Sequence, residues 1–184
     1  GGPPVVGTVG YVCRRKGTDL FVEAAARVRE RRPDVAFRIV GSVDPGDPDP
    51  GWATNVLARA REIGIEHVTG ADGLRAMREM DVFVLASRAD PYPLVVLEAM
   101  ASGVPVVATA VDGIVEQVAP GTGALARPED ARDLAEHLLG VLEDDARRRA
   151  MGAAARAEAL RRFRLEDQAE QQERAWLAAL SRGR

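Results

Sequence analysis

Cysteine occurs once in this chain, at Cys13, so neither an internal disulfide nor a cysteine-rich metal site can form. That usage suits a reducing compartment and makes the cytoplasm the expected location. Lysine is as scarce: of the 25 basic residues only Lys16 is a lysine, which marks an arginine-biased composition. The one lysine is either an ordinary surface residue or one kept for its chemistry. No stretch of about 20 apolar residues runs free of charge, glycine or proline. The opening GGPPVVGTVG also lacks the basic region that precedes a signal peptide's apolar core, so neither a membrane span nor export by such a signal is expected. An excess of positive charge is missing too: the net charge is −3, which sets nucleic acid aside as a partner.

What is present, 184 residues of which 46% are hydrophobic, is enough for one sizeable core and too little for two average domains. Residues 5–12 form a short, β-branched apolar run that leads into the loop YVCRRKGTD. A helix follows from Asp19 to the charged RERRP, where Pro33 stops it. Residues 35–40 read as a second strand. The following SVDPGDPDPG is so rich in Pro, Gly and Asp that a loop is predicted throughout, and its Ser42, Asp44, Asp47 and Asp49 lack the spacing of an EF-hand. Then come a helix at 52–63, a strand at 66–69, a helix at 74–80, a strongly apolar strand at 81–87, a helix at 93–102 and a strand at 104–108. A short helix at 112–118, a short strand near 121–126 and an amphipathic helix at 128–142 continue the alternation. Residues 145–164 and 165–180 both read as helical.

Strands apolar across their width, each followed by a helix, predict an α/β fold: a doubly wound, mostly parallel, Rossmann-like sheet forming a single domain with C-terminal helices. The expected division is a linker remnant at 1–4, the sheet domain at 5–164, and a C-terminal helix or tail at 165–184. Ligands of such sheets bind beyond the carboxyl ends of the strands, so the loops after Val12, Gly41, Gly70 and Ser87 are expected to line one cleft.

The chemistry concentrates in SRADPYPLVVLEAMASGVPVVA, residues 87–108. Pro93 fits the first turn of a helix, whose terminus then offers the amides of Leu94 and Val95 to an anion such as phosphate. Lys16, on a loop from another strand end, can approach the same point. Glu98 lies further along that helix. A bare carboxylate buried there needs a donor, either amides of a neighbouring loop or the paired hydroxyls of a ribose. Asp90 precedes the helix, so Asp90 and Glu98 cannot share a proton as a close dyad and are expected to hold different parts of a long ligand. The segment GTVGYVCRRKGTD lacks both the G-x-G-x-x-G spacing of dinucleotide folds and the Gly-Lys-Thr order of a P-loop. His67 and His137 have no triad partners at telling spacing and are read as structural or solvated.

Taken together, RKGTDLF, FRIVG, SRADPYPLVVLEAMASGVPVVAT, DGIVEQV and PEDARDLAEHL resemble the carboxyl-terminal, donor-binding domain of GT-B fold retaining glycosyltransferases of the family 4 type. The resemblance spans roughly residues 5–163. It implies that Glu98 holds the ribose of a nucleoside diphosphate sugar, that Asp90 contacts hydroxyls of the sugar, and that Lys16 neutralises the leaving diphosphate. It further implies that amides from Tyr92 to Val95 approach sugar and phosphate, that Gly70 and Ala71 border the base, and that no metal or other cofactor is needed. The expected partners are the nucleotide-sugar donor and an amino-terminal, acceptor-binding domain absent from these residues, with peripheral membrane contact left open for a full-length enzyme. Residues 165–180 would return to that absent domain.

Departures from the family pattern matter. Tyr11 stands where an arginine is common, so the second diphosphate cation would be Arg14, Arg15 or another. Pro93 removes one amide, and Asp112 replaces the first glycine of a frequent Gly-Gly turn, though Glu116 of that motif is kept. The functional expectation is the donor-binding half of a retaining glycosyltransferase. The alternatives are a stand-alone nucleotide-sugar binding or assembly module and, less closely matched, a nucleotide-sugar epimerase. On this division of labour Asp90→Ala spares free nucleotide and weakens only the intact sugar nucleotide.

Overall fold

The computed structural model describes residues 2–182. Six strands form one sheet: β1 (Val5–Val9), β2 (Ala36–Val40), β3 (Glu66–Val68), β4 (Val82–Leu85), β5 (Val106–Thr109) and β6 (Gly123–Ala126). Every pairing is parallel and the order is β3-β2-β1-β4-β5-β6. The chain therefore builds outward from β1 in one direction, returns to β4 beside β1, and builds outward the other way. This is the doubly wound arrangement, with its switch point between β1 and β4.

The helices are α1 (Thr18–Arg31), α2 (Pro50–Glu62), α3 (Gly73–Arg78), α4 (Leu94–Ala101), α5 (Ile114–Gln117), α6 (Ala131–Leu142), α7 (Asp145–Arg162) and α8 (Leu165–Arg182). The twofold period of a strand sends neighbouring residues of β4 to opposite faces. Val82 and Val84 join a core layer with Phe21 of α1, Ala53 of α2 and Leu138 of α6. Phe83 and Leu85 join the other, with Met77 of α3, Met100 of α4, Ile114 of α5 and Ala155 of α7. Both β4 and β5 are buried along their whole length, which is why they read as unbroken apolar runs. Each fully buried side chain of this size contributes about 1.5–3 kcal/mol.

Several element ends differ from the sequence reading, each for a local reason. The stretch expected to be loop throughout gives up its end to α2, because Asp49 caps the helix by accepting from the Trp52 amide. α6 starts at Ala131 and not at Pro128, since Glu129 has φ 58° and Asp130 is the cap. α5 starts at Ile114 and not at Asp112, whose φ is 42°. Pro93, expected to be the first helical residue, is the extended cap of α4 with φ −68° and ψ 117°. α8 is helical as expected, with Trp176, Leu177 and Leu180 exposed.

Candidate functional site

Two loops meet at the switch point. The chain leaves β1, makes one 3-10 turn at Arg14–Lys16 and enters α1 through Gly17. The loop after β4 runs from Ala86 to Pro93 and ends at α4. Gly17 has φ 64°, and a Cβ there would lie 1.8 Å from the Ala86 carbonyl oxygen, so only glycine lets the two loops cross this closely. Beyond the crossing the Arg88 amide donates to the Arg15 carbonyl at 2.8 Å.

That crossing brings Lys16 to Asp90, 74 positions later in the chain. Lys16 Nζ lies 2.6 Å from Asp90 Oδ2. The same oxygen is 3.8 Å from Arg15 Nη1 and accepts from Ser87 Oγ at 3.5 Å. Asp90 is only 6% exposed, so its charge is held in a half-dry site where pairing counts for more than at a surface. Its position is set from the other side as well, by the Asp90 amide donating to Asp112 Oδ2 at 2.8 Å. Asp112 sits in the left-handed region that favours glycine, a strain of roughly 1 kcal/mol or more that this bond helps to offset.

Arg88 fastens the two loops together. Its guanidinium donates to both carboxylate oxygens of Asp19 at 2.8 Å, to the Arg14 carbonyl at 2.8 Å, and pairs with Glu129. Burial works to raise the Asp19 pKa, but the Arg88 hydrogen bonds and charge, with backbone donors, hold its carboxyl below the usual range. At the far end of the loop, Gln117 of α5 donates to the Pro93 carbonyl at 3.1 Å and pins the start of α4. Val96 donates to the same carbonyl, so Leu94 and Val95 supply the amides that this helix end leaves over among the described residues.

Glu98 requires a correction. It is exposed, because α4 turns Val96, Ala99 and Met100 inward and position 98 falls on the opposite arc. It was expected as a buried carboxylate in need of a donor. Its carboxylate forms no ion pair or hydrogen bond among the described residues, and it lines a groove of about 300 Å³ with Leu94, Leu97, Leu160 of α7 and Phe163 just after it. Tyr92 leans edge-on against Phe163, ring centroids 6.4 Å apart. Gly70 and Ala71, both exposed, follow β3, two strands away from β1.

Arg14 points elsewhere. It pairs with Asp49 at 3.2 Å, sits over the Trp52 ring, and lines a groove of about 450 Å³ between α1 and α2 that none of Lys16, Asp90 or Glu98 touches. Of the two arginines considered, Arg15 is the one beside Asp90. The acidic residues before α2 build turns: Asp44 accepts from Gly46, Asp47 from Asp49, and Asp49 from Trp52. His67 bonds the Gly41 carbonyl and His137 lies near Asp133, as structural roles predict.

Arg88, Asp19 and Gln117 were not anticipated, and Asp112 was noted only as a departure from a pattern. The one visible signal was an arginine two residues before Asp90 inside the densest motif.

Comparison with known proteins follows the same lines. The family model described as "Glycosyl transferases group 1" matches residues 3–144. A D-inositol 3-phosphate glycosyltransferase of Corynebacterium aurimucosum is 38% identical over 161 residues, 82% of this chain and 38% of that protein. A GDP-mannose-dependent monoacylated alpha-(1-6)-phosphatidylinositol monomannoside mannosyltransferase of Corynebacterium glutamicum is 34% identical over 84% of this chain and 42% of its own length. Among solved structures, a sucrose-phosphate synthase from Thermosynechococcus elongatus superposes with a TM-score of 0.83 and 32% identity, over 96% of this chain and 46% of that one. The chain thus spans less than half the length of each of these relatives.

Proposed function

This chain belongs to the group 1 glycosyl transferases, the family matched over residues 3–144, and from that premise we propose that it is the donor-binding, carboxyl-terminal half of a retaining, GT-B type glycosyltransferase. Its donor is a nucleoside diphosphate sugar. The observation that carries this reading is the convergence, at the switch point of the sheet, of Lys16, Arg15 and Asp90 beside the start of α4, with Glu98 exposed on that helix and unpaired among the described residues.

In this role Lys16 and Arg15 meet the diphosphate together with the Leu94 and Val95 amides. Asp90 takes hydroxyls of the sugar and Glu98 the two ribose hydroxyls. When the bond between the anomeric carbon and the phosphate oxygen breaks, charge grows on that oxygen, and a cation already in place stabilises it without reorganisation. The reading assigns no side chain as a covalent nucleophile, and has the acceptor hydroxyl attack from the side of the leaving phosphate. The charge compensation comes from side chains and a helix terminus, so the proposal includes no metal. On this reading the acceptor site belongs to another part of the enzyme, and the reaction takes place in the cytoplasm. No helix among the described residues is long and apolar enough to cross a membrane.

Titration calorimetry with UDP and with GDP tests the reading: one of them gives saturable heat with the folded domain, and no heat from either overturns it. Glu98→Ala is expected to weaken the nucleotide that binds about tenfold, or about 1.4 kcal/mol. Because Glu98 is exposed and unpaired among the described residues, the same change should leave stability within about 0.5 kcal/mol. An unchanged affinity would remove Glu98 from the ribose.

A further inference from the structure

Lys16 already has an anion. Its ammonium lies 2.6 Å from Asp90 Oδ2, and that one oxygen also has Arg15 Nη1 at 3.8 Å and Ser87 Oγ at 3.5 Å. Two cations and a hydroxyl gathered on a single oxygen are the surroundings that a phosphate oxygen would need. The backbone that carries the carboxylate is tethered beside Lys16, because the Asp90 amide is tied to Asp112 and the Arg88 amide to the Arg15 carbonyl. Both side chains are largely shielded, at 18% and 9% exposure, so water offers little compensation when the pair opens.

We propose that Asp90 is a built-in occupant of the phosphate position at Lys16, and that this competition makes the site prefer an intact sugar nucleotide to a free nucleoside diphosphate. The inference rests on the donor-site reading above and adds a second role to a residue which that reading gives only to the sugar. A ligand phosphate that takes Lys16 must displace the Asp90 carboxylate, which acts as a tethered competitor at high effective concentration. With an intact donor, the displaced carboxylate gains sugar hydroxyls as new donors, and the exchange is nearly even. With a free nucleoside diphosphate no sugar is present, and Asp90 loses Lys16 with no new donor in exchange and lies, half-dry, beside a second anion. Asp90 then returns to Lys16, and the spent diphosphate is expelled. The expectation drawn from sequence, that changing Asp90 spares free nucleotide, therefore becomes an expectation of tighter binding.

The test is Asp90→Asn, which keeps the shape of the side chain and the backbone bond to Asp112 while removing the charge. Inorganic pyrophosphate serves as a probe independent of base, alongside UDP and GDP, all measured by calorimetry on the complete chain with circular dichroism and thermal melting to verify folding. Pyrophosphate and the cognate nucleoside diphosphate are expected to bind five- to tenfold more tightly to the variant, about 1–1.4 kcal/mol by the standard conversion. Asp90→Ala, which removes the same charge by a different side chain, should tighten binding in the same sense and stands in if the asparagine variant does not fold. Equal or weaker binding to both charge-free variants, with the unaltered protein binding nucleotide normally, overturns the competition and leaves the donor site standing. Absence of binding by every variant and by the unaltered protein overturns the donor-site reading and this inference with it.

Discussion

Gly17→Val is expected to cost roughly 2–5 kcal/mol, a large share of the 5–15 kcal/mol that holds a typical domain together. A β-branched residue at φ 64° carries left-handed strain of about 1–2 kcal/mol. The rest arises from contact: the new Cβ would sit 1.8 Å from the Ala86 carbonyl oxygen and 2.7 Å from its carbon. These atoms are backbone, in a loop bound on both sides, so the clash cannot be relieved by a rotamer change and adds about 1–3 kcal/mol. Gly70→Ala is the control. Gly70 has φ 71° with nothing within 4 Å of a built Cβ, so it should show only the strain, about 1 kcal/mol. Urea melts of the two variants separate the terms. Equal losses would mean that the crossing of the two loops contributes nothing beyond backbone strain.

Arg88→Ala is expected to cost about 2–3 kcal/mol, below the full value for breaking a buried pair because Arg88 and Asp19 keep about a third of their surface in water. It should also lower affinity for nucleoside diphosphate severalfold, since the turn that carries Lys16 loses its tie to the loop that carries Asp90. The pH dependence identifies the pair. Asp19 is held below the ordinary carboxyl range, so its ion pair stabilises the fold above about pH 4 and is lost as pH falls through that depressed value. In the variant the burial that works to raise the Asp19 pKa is unopposed by Arg88, so acidification relieves part of its penalty. The stability gap between the two proteins should therefore narrow from pH 7 to pH 3.5. A gap that stays constant would assign the loss to packing of the Arg88 stem. Arg88→Lys, which keeps the charge but not the two-pronged geometry, should recover only part of the stability.

Most of the scaffold was legible in the sequence because it is built from local signals. Apolar runs such as DVFVLAS mark strands covered on both faces, and Pro33 marks the end of the first helix within two residues. Helix starts went wrong at positions such as 112 and 129, where a left-handed residue interrupts a pattern that polarity alone would extend. The burial of Glu98 was misjudged because apolar neighbours in sequence surround it, whereas the inward arc of α4 is set by what packs beneath it.

The chain's residues alone determined the alternation of strands and helices, the choice of Lys16, Asp90 and Glu98 as the residues to watch, and the resemblance to a sugar-transfer family that the matched family model bears out in its broader form. Only the tertiary structure decided that Lys16 and Asp90 form a pair, that Arg15 and not Arg14 stands beside them, and that Arg88 and Asp112 hold the loops in place. The reason is physical. Propensity and periodicity act over a few residues, but a contact across 74 positions exists only because β4 returns to pair with β1, and that choice is made by the packing of the whole sheet.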